Sequence, residues 1–336
     1  MGTEVHVIDV NQGNMVLVDT ATGEVLLCDC NVSYQNEDRV LAYLKQVLGR
    51  RRIYAFISTH RDADHMRGIN RVHRAVGIDR VWDSGLPGGT VGSPDYDEYM
   101  RMRRAVPTGL IRPLTYVDFG ATRIRFLSAA SGYVPDDCNA QSVVLKVEHG
   151  VPRNSILLTG DSDVSTWKAI CASHLHMMSL LASEILLASH HGSWTFFDCG
   201  EDGYHYPGHV RAINPAMTVV SVGRNGHGHP DPTAIAQYEA YSRGSFEGHK
   251  LWRTDRDGTM RLDLTDSGYW ILRRWEGAHL GFDLPDIDNA ALLRRLLPPP
   301  SRFPSVLGDA LRDDLPPSVP SISPALMAAL FPWGGR

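Results

Sequence analysis

A short cluster of histidines and aspartates, placed directly after an apolar run, constrains this chain more than any other feature of its sequence. Residues 59–65 read Thr-His-Arg-Asp-Ala-Asp-His, and the apolar run at 53–58 predicts a buried strand. A strand that ends in such side chains delivers them to a rigid edge, where they can converge on a metal ion such as zinc, manganese or iron. A solvated polar loop is the alternative interpretation. The four candidate ligands are His60, Asp62, Asp64 and His65.

The composition is that of an ordinary globular protein, without a charge bias that would select a partner. The 336 residues are 43% hydrophobic and 21% charged, with a net charge of -5, so no global attraction to nucleic acid or anionic membranes is expected. No stretch approaches the roughly 20 apolar residues of a membrane span, and the N-terminus lacks the segments of a signal peptide. The five cysteines form no regular framework, which favours a reducing, cytoplasmic location.

Short strands dominate both halves of the chain, and polar residues of the ligand type recur where strands end. Helices are predicted around 40–48, 163–181 and 231–243, and a long surface loop over 85–100, which is rich in Gly, Pro and Asp. The pattern predicts an α/β fold in which two sheets pack face to face with helices outside. The predicted strands are 5–10, 15–19, 25–29, 53–58, 80–83, 123–127, 142–148, 155–159, 184–189, 217–222, 251–254, 259–264 and 269–275.

The character of the sequence changes near its C-terminal end. Residues 282–336 contain proline runs interrupted by short apolar pieces. We therefore predict a catalytic domain over 1–280 and a Pro-rich tail over 281–336. The tail would be extended or partly helical, and would pack on its own domain or bind a protein partner.

Five segments, taken in order, resemble one known family. The chain is similar to the metallo-β-lactamase fold, a four-layer αββα sandwich, and most similar to the soluble metallo-hydrolase domain of ComEC-type DNA-uptake proteins. Weaker similarity lies at Asn139 with 142–145 and at 253–258, so that the resemblance covers about residues 5–265. The five segments are 7–14 (VIDVNQGN), 59–65 (THRDADH), 157–161 (LLTGD), 189–193 (SHHGS) and 225–230 (NGHGHP).

The resemblance implies a centre that holds two divalent metal ions, manganese or zinc. The first two ligands of the 59–65 cluster would bind one metal, the last two would bind the other, and Asp161 would bridge them. The ordinary family pattern is His-x-His-x-Asp-His. This chain has Asp62 in place of the second histidine, and the ComEC type has an aspartate there too. That carboxylate tilts metal preference modestly from zinc toward manganese. The six implied metal ligands are His60, Asp62, Asp64, His65, Asp161 and His190.

Several positions around this centre leave alternatives open. His190 would complete the second site, with His191 as the alternative. The third ligand of the first site is unassigned, and Asn139 is the candidate there, although an amide oxygen binds metal weakly. Asn14 stands where the ComEC type usually has aspartate. If that aspartate orients a metal ligand, the asparagine is expected to weaken the metal site.

Further residues are candidates for catalysis and substrate binding. Asp64 and Asp161 are predicted catalytic carboxylates, and His229 would donate a proton to the leaving group or hold a phosphate oxygen. Ser193 is a candidate for hydrogen bonding to substrate. The aromatic residues at 194, 196 and 197 are interpreted as core or pocket wall rather than a stacking platform. His209 is predicted in a loop, with a place in the pocket wall as the alternative.

The leading hypothesis is a metal-dependent phosphodiesterase or nuclease that uses a metal-bound hydroxide on nucleic acid or a nucleotide. The runner-up is a hydrolase of a smaller substrate, such as a cyclic nucleotide, thioester or lactone. The third hypothesis is a non-catalytic partner protein whose metal site is degenerate and whose tail makes the functional contact.

Overall fold

The computed structural model describes residues 2–129, 137–150, 154–174, 177–200, 205–244 and 248–275. Within these ranges, two mixed β-sheets pack face to face and helices cover both outer sides. The α/β fold class and the four-layer αββα arrangement predicted from the sequence are therefore confirmed.

The first sheet combines antiparallel hairpins with a parallel half. Strands β16, β15, β1, β2 and β3 pair antiparallel, and β3, β5, β6 and β7 then follow in parallel. The parallel half matters most, because its strands carry polar residues to one common edge. The strands are β1 Thr3–Val7, β2 Val16–Asp19, β3 Val25–Cys28, β5 Ile53–Ile57, β6 Val81–Asp83, β7 Thr108–Leu110, β15 Met260–Leu264 and β16 Trp270–Arg274; the short β4, Cys30–Asn31, follows β3.

The second sheet has the same mixed design. Strands β8 to β11 pair antiparallel in chain order, and β11, β12, β13 and β14 are parallel. The strands are β8 Thr115–Phe119, β9 Thr122–Ala129, β10 Val143–His149, β11 Asn154–Leu158, β12 Ile185–Leu187, β13 Met217–Val220 and β14 Leu251–Arg253.

Strands of the first sheet are apolar on both faces because each face is covered. In β2, Val16 and Val18 belong to the core between the sheets, whereas Leu17 belongs to the core beneath the outer helices. Two-sided burial explains why these strands are continuous apolar runs rather than alternating ones. The outer face of β10 follows a different rule, since Lys146 and Glu148 are buried there as an ion pair at 3.0 Å.

Helices on the outside of the first sheet carry apolar faces toward it. Helix α1 directs Val40 and Leu44 inward, and helix α4 directs Tyr99 and Met102 into the same core. These helices are α1 Glu37–Leu48, α2 Ala63–Met66, α3 Ile69–Val76 and α4 Pro94–Ala105. Outside the second sheet lie α5 Val164–Ser173, α6 Gly208–Ile213 and α7 Pro232–Tyr241, and α8 Thr254–Asp257 is a single turn after β14.

Two predicted elements differ from the structure. The long loop predicted over 85–100 is wrong in its second half, because α4 begins at Pro94. Ser93 caps this helix by accepting a hydrogen bond from the backbone of Tyr96, and Pro94 occupies the first helical position, where no backbone donor is needed. The helix predicted over 163–181 is shorter and ends at Ser173, with a separate 3₁₀ turn at Met178–Leu180.

The predicted C-terminal tail at 281–336, and the domain boundary before it, lie outside the described residues. No helix in the described ranges is both long enough and apolar enough to cross a membrane. The cytoplasmic location and the partner of the tail stay predictions.

Candidate metal centre

The predicted ligands converge because strands from both sheets end at the same edge of the sandwich. Strand β5 leads into His60, and the short helix α2 that follows carries Asp64 and His65. Asp161 comes three residues after the end of β11, and His191 follows β12. Residues that are about 100 positions apart in the chain thus meet at the carboxyl ends of parallel strands.

Gly160 permits the close approach of the two sheet edges. Its φ of 55° lies in the left-handed region, and a Cβ at this position would stand 2.9 Å from Cβ of Thr59. A side chain there would push the two segments apart. The glycine therefore lets Asp161 come within reach of His60.

Two overlapping groups of ligand-type atoms form at this edge. In the first, His60, His65 and Asp161 each offer an atom, and in the second Asp64, His65 and His191 do so, all within 4.8 Å of one another in each group. Nε2 of His65 is 3.0 Å from Oδ1 of Asp161, and Nε2 of His191 is 3.2 Å from Oδ2 of Asp64. The separation of the donor atoms is that of neighbouring ligands on a common ion.

Each imidazole is held on its outer side and turns Nε2 toward the centre. The three Nε2 atoms are buried and make no hydrogen bond of acceptable geometry among the described residues. Anchoring at Nδ1 fixes the tautomer that leaves Nε2 able to bind a metal. The Nδ1 partners are Oδ2 of Asp29 for His65 (2.8 Å), the carbonyl oxygen of Ser221 for His191 (2.9 Å) and Oγ1 of Thr59 for His60 (3.1 Å).

The electrostatics of the centre favour positive charge within it. Burial alone would lower the pKa of His65, but the carboxylates of Asp161 and Asp29 raise it well above its usual value. Burial likewise opposes ionisation of Asp161, yet His65 and His191 hold its pKa well below the ordinary range. The pKa of Asp64 is lowered against the effect of burial, chiefly by the nearby imidazole of His191. A cation placed among these groups would be stabilised.

Asp62 lies on the His60 side of the centre and has an unexpected neighbour. Its Oδ2 is 3.8 Å from Nε2 of His60 and accepts a hydrogen bond from Sγ of Cys138 at 2.9 Å, while its Oδ1 is buried without a hydrogen-bond partner among the described residues. Burial and the Asp62 carboxylate raise the pKa of the Cys138 thiol to about 12. Sequence reasoning did not single out Cys138, although the cysteine directly before Asn139 was the signal available.

The histidine in the second group is His191, the alternative given in the sequence analysis, whereas the preferred His190 belongs to neither group, although Nε2 of each lies 3.7 Å from Oδ2 of Asp161. Metal binding by His190 stays a prediction. Both histidines have left-handed backbone angles, so the two rings diverge. Nε2 of His191 points at Asp64, whereas His190 is partly exposed, shares a hydrogen bond at Nδ1 with Thr195 and keeps Nε2 3.7 Å from Oδ2 of Asp161. His190 therefore lies at the mouth of the centre and His191 lies inside it.

His229 stands beside the centre, in contact with His190. The ring centroids are 5.0 Å apart, and Asn225 holds the loop by donating to the carbonyl of His229 at 2.7 Å. Burial, together with the nearby His190 and His191, lowers the pKa of His229 to about 4. Its imidazole is therefore neutral near pH 7, so that one ring nitrogen can donate a hydrogen bond and the other can accept one.

The remaining candidates surround the centre at different distances. Asn14 is buried and donates to Oδ2 of Asp29 at 3.3 Å, so it contacts the group that anchors His65. Asn139 donates its backbone N–H to Asp137 at 2.9 Å. Ser193 is buried and its Oγ accepts from the backbone nitrogen two residues further on at 3.3 Å, which makes it a cap of the next turn.

Asp29 is the residue of this region with the weakest signal in the sequence. It is fully buried, with a φ of 59°, and its carboxylate accepts hydrogen bonds from His65 and from the backbone and hydroxyl of Thr59. It was predicted only as the last residue of a strand. A carboxylate directly after the apolar run of β3 was the available signal.

Two of the three aromatic residues after the His-His pair are fully buried, and Trp194 is partly buried. Phe196 and Phe197 are fully buried, which confirms their interpretation as core rather than a stacking surface. The prediction that His209 lies in a loop is wrong. It lies within α6, where it is fully buried against Phe196, Trp167 and Tyr206.

Comparison with known proteins finds similarity at the level of structure. No family model matches the sequence, and no curated protein matches it. The metallo-β-lactamase fold protein YhfI from Bacillus subtilis is 13% identical with a TM-score of 0.47, over 78% of this chain and 100% of that one. CmlA, a diiron β-hydroxylase from Streptomyces venezuelae, is 17% identical with a TM-score of 0.46, over 78% of this chain and 54% of that one. A metallo hydrolase from the archaeon Ignicoccus hospitalis is 10% identical with a TM-score of 0.44, over 77% and 98%.

The sheet order, the helices on both faces and the position of the His/Asp cluster define the architecture of this chain. It is an αββα sandwich of the kind that the resemblance in the sequence predicted. The cluster lies where strands of the two sheets end together, and its atoms form groups that can hold divalent metal ions.

Proposed function

We propose that this chain is a metal-dependent hydrolase with a two-metal centre, acting on phosphodiester bonds of nucleic acid or a nucleotide. The observation that carries the proposal is the set of three buried imidazoles, each anchored at Nδ1 and turned with Nε2 toward shared carboxylates. Unsatisfied buried nitrogens are costly unless a partner is bound there. A pair of divalent cations is the partner whose chemistry fits these donors.

Asp161 fits the bridging position between the two metals. Its Oδ1 is 3.0 Å from Nε2 of His65, and its Oδ2 is 3.8 Å from Nε2 of His60 and 3.7 Å from Nε2 of His191, so the carboxylate lies between the ligands of the two metals. The ligands we assign are His60 and Asp62 for the first metal, and Asp64, His65 and His191 for the second.

Two adjacent divalent ions, when bound, supply a hydroxide at neutral pH and stabilise negative charge on the reacting group. The carboxylates of Asp64 and Asp161 lie where they can orient the attacking water by hydrogen bonding. The neutral imidazole of His229 stands at the mouth and can donate a hydrogen bond to a phosphate oxygen or to the leaving oxygen. The carboxylates would thus act at the buried metal centre, and His229 would contact the substrate at its mouth.

An anionic substrate suits the charge of this centre. Three carboxylates, Asp62, Asp64 and Asp161, together with a hydroxide would neutralise two divalent cations, so a phosphodiester anion would not meet a net negative centre. Asp62 is also the residue by which the cluster resembles that of the ComEC-type DNA-uptake proteins. The substrate class is proposed on these two grounds.

A groove beside the centre supports a nucleotide-containing substrate. Tyr34 is 89% exposed there, and the guanidinium of Arg71 lies 4.0 Å from its ring centroid. Arg67 and Arg224 line the same groove. Gln12 also lines the groove, and a Cβ on the next residue, Gly13, would stand 2.7 Å from the carbonyl oxygen of Asp64. An exposed aromatic ring with arginines nearby can stack a base and hold phosphate.

A direct assay tests the proposed activity. Purified protein loaded with manganese or zinc would be incubated with single- and double-stranded DNA, RNA and cyclic dinucleotides, beside Asp161→Ala. We expect hydrolysis of at least one of these substrates by the wild type and a loss of 100-fold or more in the variant, on the order of a few kcal/mol of transition-state stabilisation. Asp79→Ala, a surface aspartate paired with Arg52, is the matched control and should keep full activity.

Other outcomes discriminate the remaining hypotheses. Equal activity in the wild type and Asp161→Ala would refute the catalytic assignment. Hydrolysis of a thioester or lactone, without action on phosphodiesters, would identify the small-molecule alternative. Bound metal without turnover on any substrate would favour the non-catalytic partner protein.

A further inference from the structure

The first-metal side of the centre has fewer assigned ligands than the second. His60 and Asp62 face it, with Asp161 shared, whereas the second side has two histidines and its own aspartate. His60 is 2% exposed and its Nε2 makes no hydrogen bond of acceptable geometry among the described residues, so the donor is aimed into this side without a partner. A ligand set of this size is completed by one more protein donor or by water.

Cys138 lies beside Asp62 on this side, although its Sγ is outside the groups of ligand atoms within 4.8 Å of one another, so that metal binding would draw it closer to His60. Its Sγ is 2.9 Å from Oδ2 of Asp62, and the same oxygen is 3.8 Å from Nε2 of His60. The side-chain oxygen of Asn139, the candidate from the sequence, contacts Sγ of Cys138 at 3.8 Å.

The backbone around the thiol is shaped to hold it against Asp62. A Cβ on Gly89 would stand 2.8 Å from Sγ of Cys138 and 3.2 Å from Oδ1 of Asp62. The loop therefore closes over both side chains, and only a residue without a side chain leaves the pair in place. This contact joins the loop after β6 to the segment before β10 at the metal side of the sandwich.

We infer that Cys138 is the third protein ligand of the first metal, completing a set with His60, Asp62 and the shared Asp161. The inference rests on the two-metal centre proposed above. On binding, the metal takes the place of the thiol proton: the S–H bond breaks, a metal–sulfur bond forms, and the proton leaves to solvent. Because thiolate is a soft ligand, the first site would prefer zinc, cobalt or iron(II) over manganese, against the tilt expected from Asp62.

Cobalt spectroscopy tests the inference with a readout other than activity. The full-length protein would be loaded anaerobically with cobalt(II), and the near-ultraviolet thiolate-to-cobalt charge-transfer absorption measured. We expect this band in the wild type, its loss in Cys138→Ser, and its retention in Cys199→Ser, which removes the other partly exposed cysteine. We also expect Cys138→Ser to weaken binding of the first metal by about tenfold or more in a chelator competition.

A second measurement needs no variant and applies even if Cys138→Ser does not fold. X-ray absorption at the zinc edge of the wild-type zinc protein should show sulfur in the coordination shell at about 2.3 Å. Bound metal without sulfur, or a charge-transfer band that survives Cys138→Ser, would overturn the inference while leaving the two-metal centre standing. A wild-type protein that binds no divalent metal would overturn both.

Discussion

At the scale of single residues, the centre depends on the side chains that hold its histidines as much as on the histidines themselves. Asp29 shows this most clearly, because one buried carboxylate positions His65 and the Thr59 backbone at the start of the ligand cluster. The candidate ligands were recognisable in the sequence because four of them fall within six positions after a strand. The sequence did not predict Asp29, which reaches His65 from the end of the neighbouring strand β3, or Cys138, which contacts Asp62 from the segment before β10.

Replacing Asp29 by Asn tests this anchoring role. We expect Asp29→Asn to weaken divalent metal binding by about 10- to 100-fold, because His65 loses the charged acceptor at Nδ1 that fixes its orientation. Isothermal titration with zinc would measure the change. Glu148→Gln is the matched control, since it also removes a buried, paired carboxylate but lies on the outer face of β10. Equal affinity in Asp29→Asn and the wild type would contradict the account.

The pair His190 and His191 offers an internal comparison. We expect His191→Ala to lose one equivalent of tightly bound metal, because its Nε2 belongs to the group formed with Asp64 and His65. His190→Ala should retain both equivalents and lose turnover instead, because His190 lies at the mouth beside His229. Metal content after dialysis, measured by plasma mass spectrometry, separates the two cases. The reverse pattern would restore the assignment preferred from the sequence.

At the scale of elements, predictability followed the strength of the local signal. Strands that are apolar on both faces, such as β5 and β11, were predicted because continuous apolar runs bounded by polar clusters are distinctive. Helix α4 was missed because its first turn, Pro94-Asp-Tyr-Asp, reads as a loop unless Ser93 is recognised as a cap. Strands β7 and β8 were also missed, since their exposed residues lack a clear alternation and the sheet edge alone orders them.

The cap of α4 can be tested by a single substitution. We expect Ser93→Ala to lower the free energy of unfolding by about 1 kcal/mol, because the backbone N–H of Tyr96 loses its acceptor. Ser173→Ala is the control, since that hydroxyl bonds back to Ala169 within α5 and caps nothing. Urea unfolding of the two variants would measure the difference. Equal stability of the two would show that the cap contributes nothing.

At the scale of the whole molecule, the sandwich explains why the centre lies where it does. The parallel halves of the two sheets end together, so the segments after β5, β11 and β12 supply ligands to one place. The order of motifs along the sequence was enough to predict this layout. The packing behind it was not predictable, because it brings buried polar groups together that have no neighbouring signal in the chain.

One such group links the stability of the molecule to pH. His209 is fully buried among aromatic rings, and burial lowers its pKa to about 3 from an ordinary 6.5. Below pH 6.5 His209 binds a proton in the unfolded chain but stays neutral in the folded protein. The free energy of unfolding therefore decreases progressively as the pH falls from 6.5 toward 3.

Removal of this histidine should reduce the dependence on pH. Between pH 7 and pH 4 we expect the free energy of unfolding of the wild type to fall by about 3 kcal/mol more than that of His209→Phe, which fits the same aromatic surroundings. Chemical unfolding at several pH values would give both curves. Parallel curves would show that His209 does not remain neutral in the folded protein.

The central claim is that the His/Asp cluster holds two metal ions bridged by Asp161. Anomalous diffraction from crystals of the zinc- or manganese-loaded protein tests this claim most directly. The account predicts two peaks roughly 3.5–4 Å apart, one beside His60 and Asp62, the other among Asp64, His65 and His191, with Asp161 between them. A single peak bound elsewhere, or no peak among these side chains at saturating metal, would contradict it.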